Sequence, residues 1–170
     1  MKKDIFIDNN ITQYFSNPID EGYSKFIAWI STHNENEETD AYLIISPYLL
    51  KEFNETNRYP NSRTNIVQII ADLTKQERLI NFTKKQIENF QKQNFTKKVL
   101  NKLLTKDTKD INHIPIVLMS NRKMALTEDK NFTRDLEQFD AIVANRPEKL
   151  LYTGIEIIED EENTEGGKSS

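Results

Sequence analysis

Cysteine is absent from this chain of 170 residues, and histidine and glycine are scarce. Without cysteine there can be no disulfide, no thiolate zinc site and no cysteine nucleophile, and we expect a cytoplasmic protein. The two histidines, His33 and His113, are too few for a multi-histidine metal site. The four glycines cannot form a dinucleotide-binding fingerprint or a phosphate-binding loop. Any enzymatic chemistry must therefore rest on carboxylates, hydroxyls, amides and basic side chains.

Long apolar runs are also absent. No stretch approaches the roughly 20 apolar residues of a membrane span, and Asp4 and Asp8 interrupt the start of the chain, so we expect neither a membrane segment nor a signal peptide. The length fits one domain, which we place at residues 1–155. Residues 156–170 are acidic and poor in apolar side chains, which predicts a disordered tail.

The net charge of −4 is unevenly distributed. Residues 155–170 contain six acidic side chains and one basic side chain, which leaves 22 basic and 21 acidic side chains in the rest of the chain. The folded part is therefore close to neutral, and a local basic face that binds nucleic acid is compatible with the composition.

Short apolar runs alternate with segments of helical periodicity. The runs that we interpret as buried strands are 5–7, 41–45, 79–82, 124–126 and 141–144, and residues 114–119 form a further apolar run. The helical segments are 18–32, the residues after Pro47, 66–73, 83–104 and 132–139. This alternation predicts an α/β domain with a central parallel sheet and helices on both faces.

Four acidic residues lie where this architecture places a functional site. Asp8 directly follows the first strand, Asp129 follows the 124–126 run, Glu52 is on the helix after the second strand, and Asp110 precedes the 114–119 run. Ligands of parallel sheets bind outside the carboxyl ends of the strands, so these side chains can meet. Crowded carboxylates repel each other unless a cation neutralises them, and their oxygens suit Mg²⁺ or Mn²⁺. Such a site can activate water for phosphodiester hydrolysis.

The same four segments resemble the PIN-domain nucleases. Phe6-Ile7-Asp8-Asn9-Asn10 is similar to the opening strand of that family, Ile45–Phe53 to its glutamate-bearing helix, Asp110-Ile111-Asn112-His113 to its D-x-x-H segment, and Leu126–Phe132 to its T-x-D-x-x-F element. The resemblance implies a PIN-like fold, a divalent-metal site and endoribonuclease activity on RNA. It assigns catalytic and metal-binding roles to Asp8, Glu52, Asp110 and Asp129. Asp135 resembles a further acidic residue of some members.

Several residues are candidates for supporting roles. Thr127, His113 and Asp135 are candidates for orienting the carboxylates, and His113 is a structural or hydrogen-bonding residue in preference to a metal ligand. Pro115 predicts that the helix after Asp110 begins close to His113. Lys97 and Lys98, in a lysine-rich helical stretch, are candidate RNA contacts. Because antitoxins restrain the toxin members of the family, the resemblance also suggests an inhibitory antitoxin-like protein as a partner.

Other interpretations remain open. Asp8 and Asp129 could each cap a helix, and Glu52 could be a solvated side chain. The chain could also be a catalytically inactive PIN-like module that binds RNA or another protein. A carboxylate-metal phosphatase of different topology would need a D-x-D pair, and Asn9 and Asn10 after Asp8 disfavour it.

Overall fold

Five short parallel strands form the centre of the molecule. In the computed structural model, which describes residues 1–15, 20–57 and 65–154, they are β1 (Lys3–Ile7), β2 (Ala41–Ile45), β3 (Leu79–Asn81), β4 (Met124–Leu126) and β5 (Ile142–Ala144). Their order in the sheet is β3-β2-β1-β4-β5. The predicted α/β class with a parallel sheet is confirmed. The predicted tail, residues 156–170, lies outside the described residues.

Helices fill the connections between the strands. They are α1 (Glu21–Ser31), α2 (Pro47–Thr56), α3 (Ile66–Lys75), α4 (Lys84–Asn94), α5 (Lys97–Leu100), α6 (Ile114–Met119) and α7 (Lys130–Glu137). Short 3-10 helices span Asn9–Tyr14, Lys109–Asn112 and Pro147–Lys149. None of the helices in the described ranges combines the length and the apolar character that crossing a bilayer requires.

Local sequence explains where several helices begin and end. The Ser46 side chain accepts a hydrogen bond from the amide of Leu49, and Pro47 occupies the first turn of α2. The predicted helix at 83–104 is divided into α4 and α5, because Thr96 caps a new helix start. The apolar run 114–119 is helix α6, with Pro115 in its first turn, as the proline predicted.

Both faces of the sheet are covered. Successive side chains of a strand point to opposite faces, and Ile5, Phe6 and Ile7 of β1 are 0%, 0% and 2% exposed. Parallel connections are right-handed, so the segments from β1 to β3 cover one face and those from β3 to β5 cover the other. On the second face the Phe6 ring lies 5.7 Å from the Phe132 ring of α7. This is the predicted two-sided architecture.

The strand order places one crevice at the centre of the sheet. The chain runs outward from β1 to β3 and then returns to the opposite side of β1, where Ile7 pairs with Leu126 of β4. The connections leave β1 and β4 in opposite directions, which opens a crevice at their carboxyl ends. Asp8 and Thr127 are the first residues after these two strands.

Asp135 has a structural place in this fold. Its buried carboxylate accepts hydrogen bonds from the amides of Leu104 (2.9 Å) and Thr105 (2.8 Å) and from the Thr105 hydroxyl (2.6 Å). These bonds tie α7 to the segment that follows α5. They account for the burial of a charged side chain, because hydrogen-bond donors replace its water.

Replacing Asp135 with alanine should therefore destabilise the fold. Three donors would lose their acceptor, two of them on the buried Thr105, and we expect a loss of about 2–4 kcal/mol in the free energy of unfolding. Urea denaturation measures the loss. The control is Glu137→Ala, an exposed acidic residue of the same helix, for which we expect a change within roughly 0.5 kcal/mol. Equal stability of the two variants would show that Asp135 does not hold the segment.

Candidate functional site

The four predicted carboxylates line one cavity. Asp8, Glu52, Asp110 and Asp129 surround a space of about 290 Å³ at the carboxyl edge of the sheet, which we call the carboxylate cavity. Each comes from a different segment: the end of β1, helix α2, the 3-10 helix before α6, and the start of α7. The structure thus brings together residues that are separated by up to about 120 positions in the sequence.

Asp8 is held from both sides of the β1–β4 crevice. Its amide donates to the Leu126 carbonyl at 2.9 Å, and its Oδ1 accepts from the Asn9 amide at 2.8 Å, which caps the following 3-10 helix. Its Oδ2 accepts a 2.6 Å hydrogen bond from the Thr127 hydroxyl. Burial raises the pKa of Asp8 above its ordinary value, although the hydrogen bond from Thr127 acts in the opposite direction.

Asp129 also caps a helix and faces the cavity. Its Oδ1 accepts from the Phe132 amide at 3.0 Å at the start of α7, while its own amide donates to the Thr127 hydroxyl at 3.1 Å. Among the described residues, its Oδ2 has no hydrogen-bond partner. The capping interpretation of Asp8 and Asp129 is therefore correct, and it does not exclude a second role. Thr127 links the two aspartates.

Glu52 is oriented by a buried histidine. His113 Nε2 lies 3.0 Å from Glu52 Oε2, and the imidazole is fully buried with the Phe6 ring at 5.6 Å and the Phe132 ring at 6.3 Å. Nδ1 has no hydrogen-bond partner in the described part of the chain. With Nε2 engaged and Nδ1 enclosed, His113 positions Glu52, in agreement with the structural role expected from the sequence.

The pKa of Asp110 depends on the charges of the other three carboxylates. It lies in the 3-10 helix Lys109–Asn112, where the Thr108 hydroxyl accepts from its amide at 3.3 Å. Burial, followed by the negative charge of Asp8, raises the pKa of Asp110 to about 7; the charges of Asp129 and Glu52 add to this effect and His113 opposes it. The four groups are thus electrostatically coupled.

Carboxylate oxygens line the cavity, but they do not converge on one point. No group of three or more histidine, aspartate or glutamate side chains within the described residues is arranged so that it could hold a metal ion as it stands. The donor chemistry nevertheless fits a hard divalent cation, since the four predicted ligands are all carboxylates on one cavity. Mutual repulsion favours a spread arrangement of such groups when nothing neutralises them.

The sequence interpretation missed five residues of this cavity: Asn9, Asn10, Glu55, Thr56 and Lys109. Glu55 follows Glu52 by three positions on α2, so helical spacing could have identified it. Asn9 and Asn10 connect the segments that form the cavity. Asn9 Nδ2 donates to the Thr56 hydroxyl of α2 at 2.8 Å, and Asn10 Oδ1 accepts from the Glu128 amide at 3.2 Å.

The remaining candidate residues differ in their position relative to the carboxylate cavity. Asp135 does not line the carboxylate cavity, because its oxygens bind the segment after α5. Lys97 and Lys98 are exposed on α5 and do not line the carboxylate cavity either. Thr127 contacts both Asp8 and Asp129, as a residue that orients the carboxylates should.

The raised pKa of Asp110 predicts a dependence of stability on pH. Its ordinary value is 3.8 and its folded value is about 7, so between these pH values the folded chain holds a proton that the unfolded chain has released. This contribution is complete below the unfolded pKa and is lost as the pH rises through the folded pKa. In Asp110→Asn, the melting temperature should therefore fall less than in the wild type between about pH 4 and about pH 7.5.

The matched control is Asp107→Asn, an exposed aspartate in the same segment, which should keep the wild-type pH profile. Thermal melts followed by circular dichroism make the comparison. If Asp110→Asn and the wild type have the same profile, burial and the neighbouring charges do not raise the pKa of Asp110 in the folded chain.

The chain matches no protein-family model, no curated protein and no solved structure. A fold alone does not define a function, since one fold hosts many activities. The function must accordingly be inferred from the chemistry of the carboxylate cavity.

Proposed function

We propose that this chain is a PIN-like, metal-dependent endoribonuclease that hydrolyses RNA phosphodiester bonds at the carboxylate cavity. The observation that carries the proposal is the meeting of Asp8, Glu52, Asp110 and Asp129 in one cavity, from four segments that are distant in the sequence. Gathering and partly burying four carboxylates costs electrostatic free energy. A folded chain that maintains such an arrangement is a candidate for binding a cation there.

Asp8 and Asp129 would be the main ligands of Mg²⁺ or Mn²⁺, with Glu52 and Asp110 completing the site. The Oδ2 atom of Asp129 is available because capping uses only Oδ1. A bound divalent ion would supply water with a pKa lowered from about 16 towards neutrality and would offset the charge of the phosphate transition state.

The surrounding residues support this chemistry. The Thr127 hydroxyl holds Asp8, and the His113 imidazole holds Glu52, so two of the carboxylates have one fixed orientation. Lys109 lines the same cavity beside Asp110 and supplies a positive charge that suits a phosphate oxygen. The resemblance to PIN toxins adds an antitoxin-like inhibitor to the proposed partners.

The second candidate function is a PIN-like module that binds RNA or a protein without cleaving it. The spread arrangement of the carboxylates favours it, because no three of the acidic or histidine side chains in the described ranges are grouped for metal binding. The two candidates differ in whether the cavity binds a divalent ion and in whether RNA is cut.

Asp129→Asn should separate catalysis from folding. Asparagine caps helices as well as aspartate does, so α7 should keep its start while the cavity loses one charge. We expect RNA cleavage in Mn²⁺ to fall by a factor on the order of 100 or more, with RNA binding retained. A gel assay with end-labelled RNA measures cleavage, and a chelator should abolish it in the wild type.

Asp107→Asn, which makes the same chemical change outside the cavity, should cleave RNA at the wild-type rate. If the purified wild-type chain binds RNA and leaves a broad panel of RNAs uncut with Mn²⁺ present, the nuclease proposal is wrong and the binding module is favoured. Cleavage that survives both the chelator and Asp8→Asn would indicate a contaminating ribonuclease.

Metal binding should be visible in the stability of the fold. A ligand that binds only the native state raises the melting temperature, so millimolar Mn²⁺ should stabilise the wild type by a few degrees. Asp8→Asn preserves the cap of the 3-10 helix and removes a ligand charge, and its shift should be smaller. An equal shift in both proteins would place the ion elsewhere, and no shift in the wild type would contradict a metal site.

A further inference from the structure

A second cavity adjoins the carboxylate cavity. It has a volume of about 640 Å³ and lies between α7 and the carboxyl end of β5. Thr127, which contacts Asp8 and Asp129, forms part of its wall. Lys130 and Arg134 of α7 and Lys149 surround it, and Val143 and Ala144 of β5 provide an apolar surface. We call this space the basic cavity.

The positive charges of the basic cavity are largely unpaired. In the part of the chain that the structure describes, the side chains of Lys130 and Arg134 take part in no ion pair and no hydrogen bond, and Lys149 Nζ donates only to Asn145 Oδ1 at 3.0 Å. The one acidic residue of the wall, Glu128, accepts a hydrogen bond from the Tyr14 hydroxyl. Three cations against one carboxylate make this cavity attractive to an anion.

The cationic surface continues along α7. Lys130 and Arg134 are four residues apart in α7 and therefore lie on the same side of the helix. Arg134 also lines a neighbouring space of about 520 Å³ together with Lys102 and one carboxylate, Glu137. An anion that extends from Thr127 along α7, a helix of about 12 Å, lies near Lys130 and Arg134 and then near Lys102, which together outnumber the one carboxylate at that end, Glu137. This repeated arrangement fits a polyanion better than a single phosphate group.

We infer that single-stranded RNA passes from the carboxylate cavity over Thr127 and places the phosphates next to the scissile one in the basic cavity. The inference rests on the proposed function for the identity of the polyanion, and it adds the path of the substrate. Lys130, Arg134 and Lys149 hold phosphates without reading sequence. The volume lies in the range of roughly 300–1,000 Å³ that is usual for ligand sites.

A single strand is favoured over a duplex. Val143 and Ala144 form an apolar surface beside the cations, which can receive the face of an unstacked base. Bases of a single strand are free to turn onto such a surface, whereas those of a duplex are stacked inside the helix. The recessed shape therefore suits one flexible strand.

The test is the binding of a fluorescein-labelled single-stranded RNA of roughly 12 nucleotides, followed by fluorescence anisotropy at several salt concentrations. Two forms of the chain are compared: the wild type with a chelator, and Asp129→Asn with Mg²⁺. Lys130→Glu combined with Arg134→Glu should weaken binding by about tenfold or more in both forms. Loss of two phosphate contacts should reduce the slope of log K against log salt by roughly 1.4.

The control is Lys75→Glu combined with Lys123→Glu, which changes the net charge equally. Lys75 ends α3 before β3 and Lys123 directly precedes β4, so both are exposed at the opposite edge of the sheet. This variant should bind RNA as the wild type does. Thermal melts of both double variants establish that they fold, and Arg134→Lys, which keeps the charge, should bind nearly as well as the wild type.

Unchanged RNA binding in the Lys130/Arg134 variant, or an equal loss in the control, overturns the inference. A wild type that binds an acidic peptide and no RNA also overturns it, in favour of a protein partner on this surface. If RNA binding depends on Lys130 and Arg134 while the RNA stays uncut in Mn²⁺, the basic cavity binds RNA as inferred and the nuclease proposal fails. If RNA is cut although its binding does not depend on Lys130 and Arg134, the nuclease proposal stands and the inference about the basic cavity is wrong.

Discussion

The pairing of β1 with β4 is the interaction on which the site depends. These strands are far apart in the sequence, yet Ile7 pairs with Leu126, and the Asp8 amide continues the ladder to the Leu126 carbonyl. One step further along, the Thr127 hydroxyl reaches Asp8 across the crevice. Because the connections leave β1 and β4 in opposite directions, a crevice opens at their carboxyl ends, and a polar site can form there without disturbing the apolar core.

The aspartates of the cavity combine structural and chemical roles. Asp8 and Asp129 each use one oxygen to start a helical segment, which holds the carboxylate in one place before any ligand arrives. Glu52 is held by His113, whose imidazole is packed among aromatic rings of the core. A site whose side chains are already fixed loses less conformational entropy when it binds a ligand. The core and the cavity are therefore parts of one arrangement, and α7 contributes to both.

At this edge of the sheet, a cavity lined by carboxylates lies beside a cavity lined by cationic side chains. Thr127 lines the basic cavity and hydrogen-bonds to Asp8 and Asp129 of the carboxylate cavity, so a ligand that carries both phosphates and a divalent counter-ion would meet a complementary charge in each cavity. The net charge of −4 conceals this pattern, since six of the acidic residues are in 155–170. For this chain, the local distribution of charge is more informative about partners than the total.

The sequence by itself determined the features that depend on local pattern. Apolar runs marked the strands, Ser46-Pro47 marked the start of α2, and the placement of Asp8 and Asp129 after strands was sufficient to predict that they meet. The tertiary structure alone decided the rest. The periodicity of the apolar run 114–119 fits a strand or a buried helix; Pro115 favoured the helix, but only the tertiary structure shows that α6 packs against α4, α7 and β2. Likewise, whether Asp135 is in the core and Lys109 in the cavity depends on which distant segments approach them, and no local pattern encodes that approach.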